Sequence, residues 1–185
     1  MPITYRPIVV KDLPLLAEWL ARPHVARWWP EGSDLTEVTS TYGPVVDGSD
    51  PTEAFIACRD GVPIGFLQRY RLDDNPDWRS TVSVGMGRTP AAGIDYLIGE
   101  ASMTGRGIGR RMITGFVEES WSRYPDVSAV VVAVQQDNQA SWRALEGAGF
   151  RRTWSGVLDS EDPSDRGPSH LYVIDRPLPS GPDPA

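Results

Sequence analysis

The run Val127 to Val134, reading Val-Ser-Ala-Val-Val-Val-Ala-Val, restricts the fold of this chain more than any other segment. Its apolar residues do not alternate with polar ones, so it cannot lie on a sheet with one wet face. It fits a central strand covered on both sides. Such a strand needs helices packed above and below it, and the surrounding sequence supplies them. Ile108, Met112, Ile113, Phe116, Val117 and Trp121 form one apolar helical face before the run. After it, Asn138 opens a helix through Trp142 and Leu145 to Ala148, closed by Gly149.

The remaining pattern extends this α/β arrangement. Ile3 to Val9 alternates like an edge strand that tolerates Pro7. Asp12 opens a helix carrying Leu13, Leu16, Trp19 and Leu20, Pro23 interrupts it, and His24 to Trp29 forms a second short helical piece. A third helical segment is expected over Leu35 to Val46. Thr52 to Cys58 and Pro63 to Leu72 flank Asp60-Gly61, a strong hairpin signal, and are expected to pair antiparallel. Asp73 to Asp77 reads as a loop, Ala92 to Ile98 as a strand, and Arg151 to Leu158 and Ser169 to Arg176 as two final strands. The expectation is a mixed central sheet of about seven strands flanked by about four helices, in one domain over residues 1–176. The proline-rich residues 177–185 are expected to form a disordered tail.

Charge narrows the partners. The 185 residues carry a formal net charge of −7, and all of it resides between Glu31 and Asp77, where ten acids face three bases. That balance argues against nucleic acid or an anionic membrane surface and marks the stretch as a place to look for a cationic ligand. Cys58, the one cysteine, lies in the apolar run Ala54 to Cys58 and reads as a small buried hydrophobe. With His24 and His170 as the only histidines and no ligand spacing, no metal site is expected. No leader peptide or membrane span is expected, which points to a cytoplasmic protein.

One segment carries chemistry. The strand Gly93 to Gly99 runs into Ser102-Met103-Thr104-Gly105-Arg106-Gly107-Ile108-Gly109-Arg110 and then into the amphipathic helix. Glycines let successive backbone N–H groups converge on an anion, and the helix N-terminus favours negative charge there. The spacing matches neither the dinucleotide fingerprint nor the P-loop. Asp95 sits among Ile94, Tyr96, Leu97 and Ile98. An acid in so apolar a strand must face a cleft or a partner, with Arg88 as a candidate for the latter. Gln68 and Tyr70 share one strand face, and Trp28-Trp29 offers either a stacking surface for a sugar or ammonium, or plain packing.

Gly105 to Gly109, followed by Asn138-Gln139-Ala140-Ser141 and a helix ending in Gly149-Phe150, resembles the two signatures of the GNAT superfamily of acetyl-CoA-dependent N-acetyltransferases. His24 to Trp29, Pro63 to Tyr70 and above all Gly93-Ile94-Asp95-Tyr96-Leu97 are most similar to the aminoglycoside 6′-N-acetyltransferases within it. The resemblance implies acetyl-CoA as co-substrate, held by Tyr96, Leu97, Ile98, Met103, Thr104, Gly105, Arg106, Gly107, Ile108, Gly109, Arg110, Asn138 and Ser141. It implies Asp95 as the base. Trp28, Gln68, Tyr70, Asp73, Asp74, Trp78 and Asp95 would face a polycationic amine. It also implies a monomer or homodimer.

The chain departs from that pattern at three places. Leu145 stands where many members place a tyrosine that protonates the departing thiolate, leaving solvent, Ser141 or another tyrosine for that task. Val134-Gln135 ends a strand that often carries an acid in related enzymes. Arg166-Gly167-Pro168 lacks an acid directly before Gly-Pro, although Asp162 and Asp165 are adjacent. Two other readings are a siderophore-type N-acyltransferase acting on a lysine-derived amine and a CoA-binding module without catalysis. A preference for longer acyl-CoA would mark the former, and acetyl-CoA binding without amine-dependent thiol release the latter.

Overall fold

A computed structural model describes residues 2–87 and 89–177. Seven strands form one sheet: β1 (Ile3–Pro7), β2 (Glu53–Arg59), β3 (Val62–Arg71), β4 (Ala91–Ile98), β5 (Ala129–Gln135), β6 (Arg151–Val157) and β7 (Pro168–Asp175). Among the described residues six helices accompany them: α1 (Leu13–Leu20), α2 (Pro23–Ala26), α3 (Leu35–Asp47), α4 (Pro76–Met86), α5 (Ile108–Arg123) and α6 (Gln139–Gly147). The strand order is β1-β2-β3-β4-β5-β7-β6. Every pairing is antiparallel except β4 with β5.

The mixed sheet and the main elements agree with the expectation. β5 lies between β4 and β7 and is buried on both faces, its Val130 and Val132 on one side and Val131 on the other. The hairpin between β2 and β3 turns on Asp60 and Gly61, whose φ angles of 54° and 78° suit a right-twisted two-residue turn. Cys58 is buried in the expected way.

One element departs from expectation. Residues 73–77 do not form a continuous loop, because α4 begins at Pro76 and runs to Met86. Proline suits a first helical position, but the Ser-Thr-Val-Ser-Val sequence behind it has weak intrinsic helicity and no clean apolar stripe. Packing supplies what propensity lacks. Val82 is fully buried in a cluster with Leu72, Val131 and Leu171, and a Cβ on Gly85 would meet Leu171 at 2.7 Å, so the helix lies very close to the sheet. The proposed ion-pair partner Arg88 and residues 178–185 of the expected tail lie outside the described residues.

The two faces of the sheet are covered by different helices. Ile94, Leu67, Val130 and Tyr172 pack with Met112 and Phe116 of α5 and Leu145 of α6. Ile56, Phe66 and Leu97 pack on the opposite face with Leu16 and Trp19 of α1 and Tyr42 of α3. β4 and β5 pair only from Ala91 to Gly93 against Ala129 to Val131, and beyond that point they diverge. This gap in the middle of the sheet is the structural origin of the site.

Candidate functional site

A cavity of about 770 Å³ opens where β4 and β5 part. β3 and β4 supply its floor through Gln68, Tyr70, Asp95 and Tyr96. Trp28 and Trp29 follow α2 on one wall, while Asn75, Asp77, Trp78 and Thr81 form another around α4. Asn138 and Ser141 of α6 and the segment Asp159 to Asp165 complete it. Of the residues expected to face substrate, Trp28, Gln68, Tyr70, Trp78 and Asp95 therefore meet in one cavity. Arg27 covers Trp28 with its guanidinium 4.5 Å from the ring centroid, and Trp29 packs edge-on against Phe66 at 5.9 Å.

Asp73 and Asp74 fall outside the cavity lining, contrary to the expectation from sequence. They sit on the exposed 3-10 turn after β3, and Asp73 is ion-paired with Arg79 at 2.6 Å. The wider acidic stretch behaves similarly. Of its ten acids only Glu31 and Asp77 line the cavity. Asp34, Asp47 and Asp50 accept hydrogen bonds from backbone N–H groups two residues on, and Glu53 pairs with Arg69 and Arg123. Backbone capping holds Asp34, Asp47 and Asp50 away from the cavity, and ion pairing offsets the charges of Glu53 and Asp73.

The acids that do face the cavity come largely from elsewhere. Asp159, Glu161, Asp162 and Asp165 lie on the connection between β6 and β7. That connection is fastened at both ends: Thr81 Oγ1 donates to the Asp159 carbonyl at 2.8 Å, and Gln135 Nε2 donates to the Ser164 carbonyl at 2.8 Å. Gln135 thus anchors an acidic arm at the strand end where an acid was missed. With Glu31, Asp77 and Asp95, seven carboxyl groups line the cavity, and among the described residues no Lys, Arg or His does. Only the pairing of Asp162 and Asp165 with nearby Gly-Pro hinted at this arm in the sequence.

Asp95 lies on the floor, half-buried, beside Gln68, whose Nε2 donates to Oδ2 at 2.9 Å. Burial raises its pKa to about 6, opposed chiefly by the Gln68 hydrogen bond and least by the Tyr70 hydroxyl, and reinforced by the nearby charges of Asp165 and Glu31. Tyr70 comes so close because its cross-strand partner is Gly93, where a Cβ would strike the phenol ring at 2.4 Å. Burial also raises the carboxyl of Asp165 above its ordinary range. The result is a group whose charge changes near neutrality in an anionic cleft, suited to taking a proton from a cation.

The other half of the site lies at the start of α5. Gly105 and Gly107 both have φ near +71°, open to glycine and strained for any L side chain. Arg111 N–H makes the first helical bond, to the Gly107 carbonyl at 3.3 Å, so the N–H groups of Ile108, Gly109 and Arg110 have no partner within the helix. Arg106, Arg110 and Arg111 surround a neighbouring cavity of about 500 Å³. Phosphate groups fit this cradle by charge and donor geometry. The amides of Met103 and Thr104 are directed inward instead, to the carbonyls of Glu100 and Ala101 at 2.9 and 3.1 Å.

Between the two halves, the Tyr96 hydroxyl lies 2.7 Å from Ser141 Oγ. Desolvation raises the Tyr96 pKa, so the phenol keeps its proton. Asn138 Oδ1 accepts from the Ser141 N–H at 3.2 Å and fixes the first turn of α6. Leu145, one turn further along, is fully buried and offers no hydroxyl. Among the described residues no group of three or more His, Cys, Asp or Glu side chains is placed to hold a metal ion, and no helix is long and apolar enough to cross a membrane.

Comparison with known proteins matches residues 9–156 to the acetyltransferase (GNAT) domain family. The aminoglycoside N(6′)-acetyltransferase type 1 of Klebsiella pneumoniae is 31% identical over 177 residues, covering 93% of this chain and 82% of the relative. The crystal structure of aminoglycoside acetyltransferase AAC(6′)-Ib with coenzyme A and kanamycin superposes with a TM-score of 0.79 at 30% identity, covering 94% of this chain and 95% of the other. The structure of AAC(6′)-Ib with parmomycin and acetyl-CoA gives a TM-score of 0.80 at 30% identity, covering 95% and 94%.

Proposed function

The chain belongs to the GNAT acetyltransferase family, and from that premise we propose that it transfers an acetyl group from acetyl-CoA to an amine, the 6′-amine, of an aminoglycoside. The single observation that carries the acceptor class is the cavity with seven carboxyl groups and, among the described residues, no lining cation. A polycationic aminosugar is attracted to such a surface, while a neutral or anionic acceptor is not. The named relative and the two complexed neighbours support the same acceptor.

Acetyl-CoA supplies the activated acetyl group as a thioester. The free amides of Ile108, Gly109 and Arg110 and the side chains of Arg106, Arg110 and Arg111 hold its phosphates. The open edge of β4 beyond Gly93, at Tyr96 and Ile98, presents backbone groups to its amide-bearing chain. Trp28, Gln68, Tyr70 and Trp78 shape the acceptor pocket, with Asp159 to Asp165 drawing in the cationic amino groups.

Both substrates then lie in the gap at once, and transfer is direct. The ammonium gives up a proton to Asp95, the amine nitrogen bonds to the acetyl carbon, and, as the carbon–sulfur bond breaks, the nitrogen releases its second proton to solvent while the departing thiolate takes up a proton to leave as CoA thiol. Of the hydrogen-bonded hydroxyls of Ser141 and Tyr96, one donates to the other, which leaves the second with a hydrogen for the departing sulfur. The product carries one positive charge fewer than the acceptor, which weakens its hold on the anionic cavity.

Product analysis tests this reading. Incubation with kanamycin and acetyl-CoA should give a mono-acetylated drug whose new amide maps to the 6′ nitrogen by NMR. Acetylation at another nitrogen would overturn the regiochemistry, and a product seen only with acidic or neutral acceptors would overturn the acceptor class.

A further inference from the structure

His24 takes no part in the chemistry above. Its Nε2 lies 3.0 Å from the carbonyl oxygen of Ile98, 74 residues further along the chain. A carbonyl only accepts, so the imidazole donates.

The position of that carbonyl gives the contact its meaning. β3 pairs Phe66 with Leu97 and Gly65 with Ile98, and Gly99 donates its N–H to the Ile64 carbonyl at 3.0 Å. Backbone groups in an antiparallel ladder alternate in direction, so Leu97 and Gly99 turn to β3 while Tyr96 and Ile98 turn to the opposite edge. β5 has already left that edge after Gly93. The Tyr96 N–H, the Tyr96 carbonyl and the Ile98 N–H are left facing the gap, and His24 closes the Ile98 carbonyl that follows. The next carbonyl, of Gly99, accepts from Arg22 Nη1 at 2.9 Å, and Arg22 is held in turn by Glu18 and Glu100 at 2.6 and 2.5 Å. Two consecutive carbonyls at the end of β4 are thus gripped from the junction of α1 and α2, the same junction that carries Trp28 to the cavity wall.

We propose that His24 is a positioning residue for the acyl donor: its hydrogen bond to Ile98 caps the open edge of β4 and sets where an amide-bearing chain in the gap must stop. This rests on the acetyl-CoA reading above. Without the cap, the end of β4 gains freedom and a spare acceptor that competes for the donor's amide hydrogens. Asp95 and the acidic wall are left unchanged, so the loss falls on the acyl donor and spares the acceptor.

The test compares His24→Gln with His24→Leu, two side chains of similar volume of which only glutamine can donate, with His24→Ala alongside. Loss of one such hydrogen bond should raise the KM for acetyl-CoA and the Kd of CoA by roughly three- to tenfold in the leucine and alanine variants. Their kcat and KM for kanamycin should stay within about twofold, since the lost bond touches neither group. Glutamine should recover most of the donor affinity. An unchanged CoA affinity in His24→Leu, or an equal loss in the glutamine and leucine variants, overturns the proposal while leaving the acetyltransferase reading intact. Absence of CoA binding by the wild-type protein overturns both. If the alanine variant does not fold, the glutamine and leucine pair decides.

Discussion

The two halves of the site meet along β4 and are assembled in opposite ways. The phosphate cradle is contiguous: Gly105 to Arg111 supplies the left-handed turns, the free helix amides and three arginines within seven residues. The acceptor cavity is gathered from many separate stretches of chain between Trp28 and Asp165, and its charge comes chiefly from the β6–β7 connection, held in place by Thr81 and Gln135. A cofactor whose phosphates never change can be met by a short fixed motif. An acceptor with charges spread over several rings needs acids distributed over a wide, irregular wall. The difference predicts that damage to either half will be separable in kinetics, while damage to Asp95, where they join, will not.

The largest effect is expected there. Asp95→Asn should lower kcat/KM for kanamycin by roughly 10²- to 10⁴-fold, the range usual for loss of a general base. In the wild type, kcat/KM should fall as pH drops through about 6, where Asp95 becomes protonated. Stability should respond with the opposite sign. Because folding raises this carboxyl above its unfolded pKa, the folded state binds its proton more tightly, and stability is lost as pH rises through about 6. Melting curves of Asp95→Asn should therefore lack that part of the pH dependence. A variant with wild-type turnover, or with an unaltered melting profile, would break the assignment of this group.

Substitution at the phosphate cradle should come next. Gly107→Ala forces an L side chain into a φ of +71°, at a cost of about 1–2 kcal/mol, enough to raise the KM for acetyl-CoA roughly tenfold or to destabilise the loop by as much. The KM for kanamycin should change little. Equal changes in both KM values would erase the separation between the two halves.

The acidic wall should give a smaller, salt-dependent effect. Asp159→Asn combined with Glu161→Gln should raise the KM for kanamycin by roughly three- to tenfold at low ionic strength and less at high salt, with the KM for acetyl-CoA unaltered. Asp165→Asn sharpens the comparison differently. Removing a neighbouring negative charge should shift the pH midpoint of turnover below that of the wild type, since Asp165 helps raise the Asp95 pKa. An unmoved midpoint would leave burial and the charge of Glu31 as the causes. Least of all, Tyr96→Phe should reduce kcat by only a few-fold, because Ser141 retains its own hydroxyl.

What could be read from the sequence follows the same division. The central strand, the Asp60-Gly61 hairpin and the glycine-rich start of α5 were legible because each is set by neighbouring residues: burial pattern, turn chemistry and helix entry. α4 was not, because Val82 and the close approach at Gly85 stabilise it through contacts with β7 that local propensity does not encode. The position of the cavity's acids was hidden for a related reason. Counting placed the charge between Glu31 and Asp77, but an acid that caps a turn and one that faces a cleft are the same letter. Asp34, Asp47, Asp50, Glu53 and Asp73 proved to be turn caps and ion pairs. The contact between His24 and Ile98 was equally invisible, since nothing local to Pro23-His24 points to a carbonyl at the end of β4.

Amine-dependent release of CoA thiol, followed continuously with acetyl-CoA and kanamycin as the ionic strength is raised, tests the central claim most directly. Saturable release whose kcat/KM falls steadily with salt, at nearly constant kcat, is the predicted result for an anionic cleft that gathers a polycation. Release that ignores kanamycin, or whose kcat/KM is indifferent to salt, would contradict it.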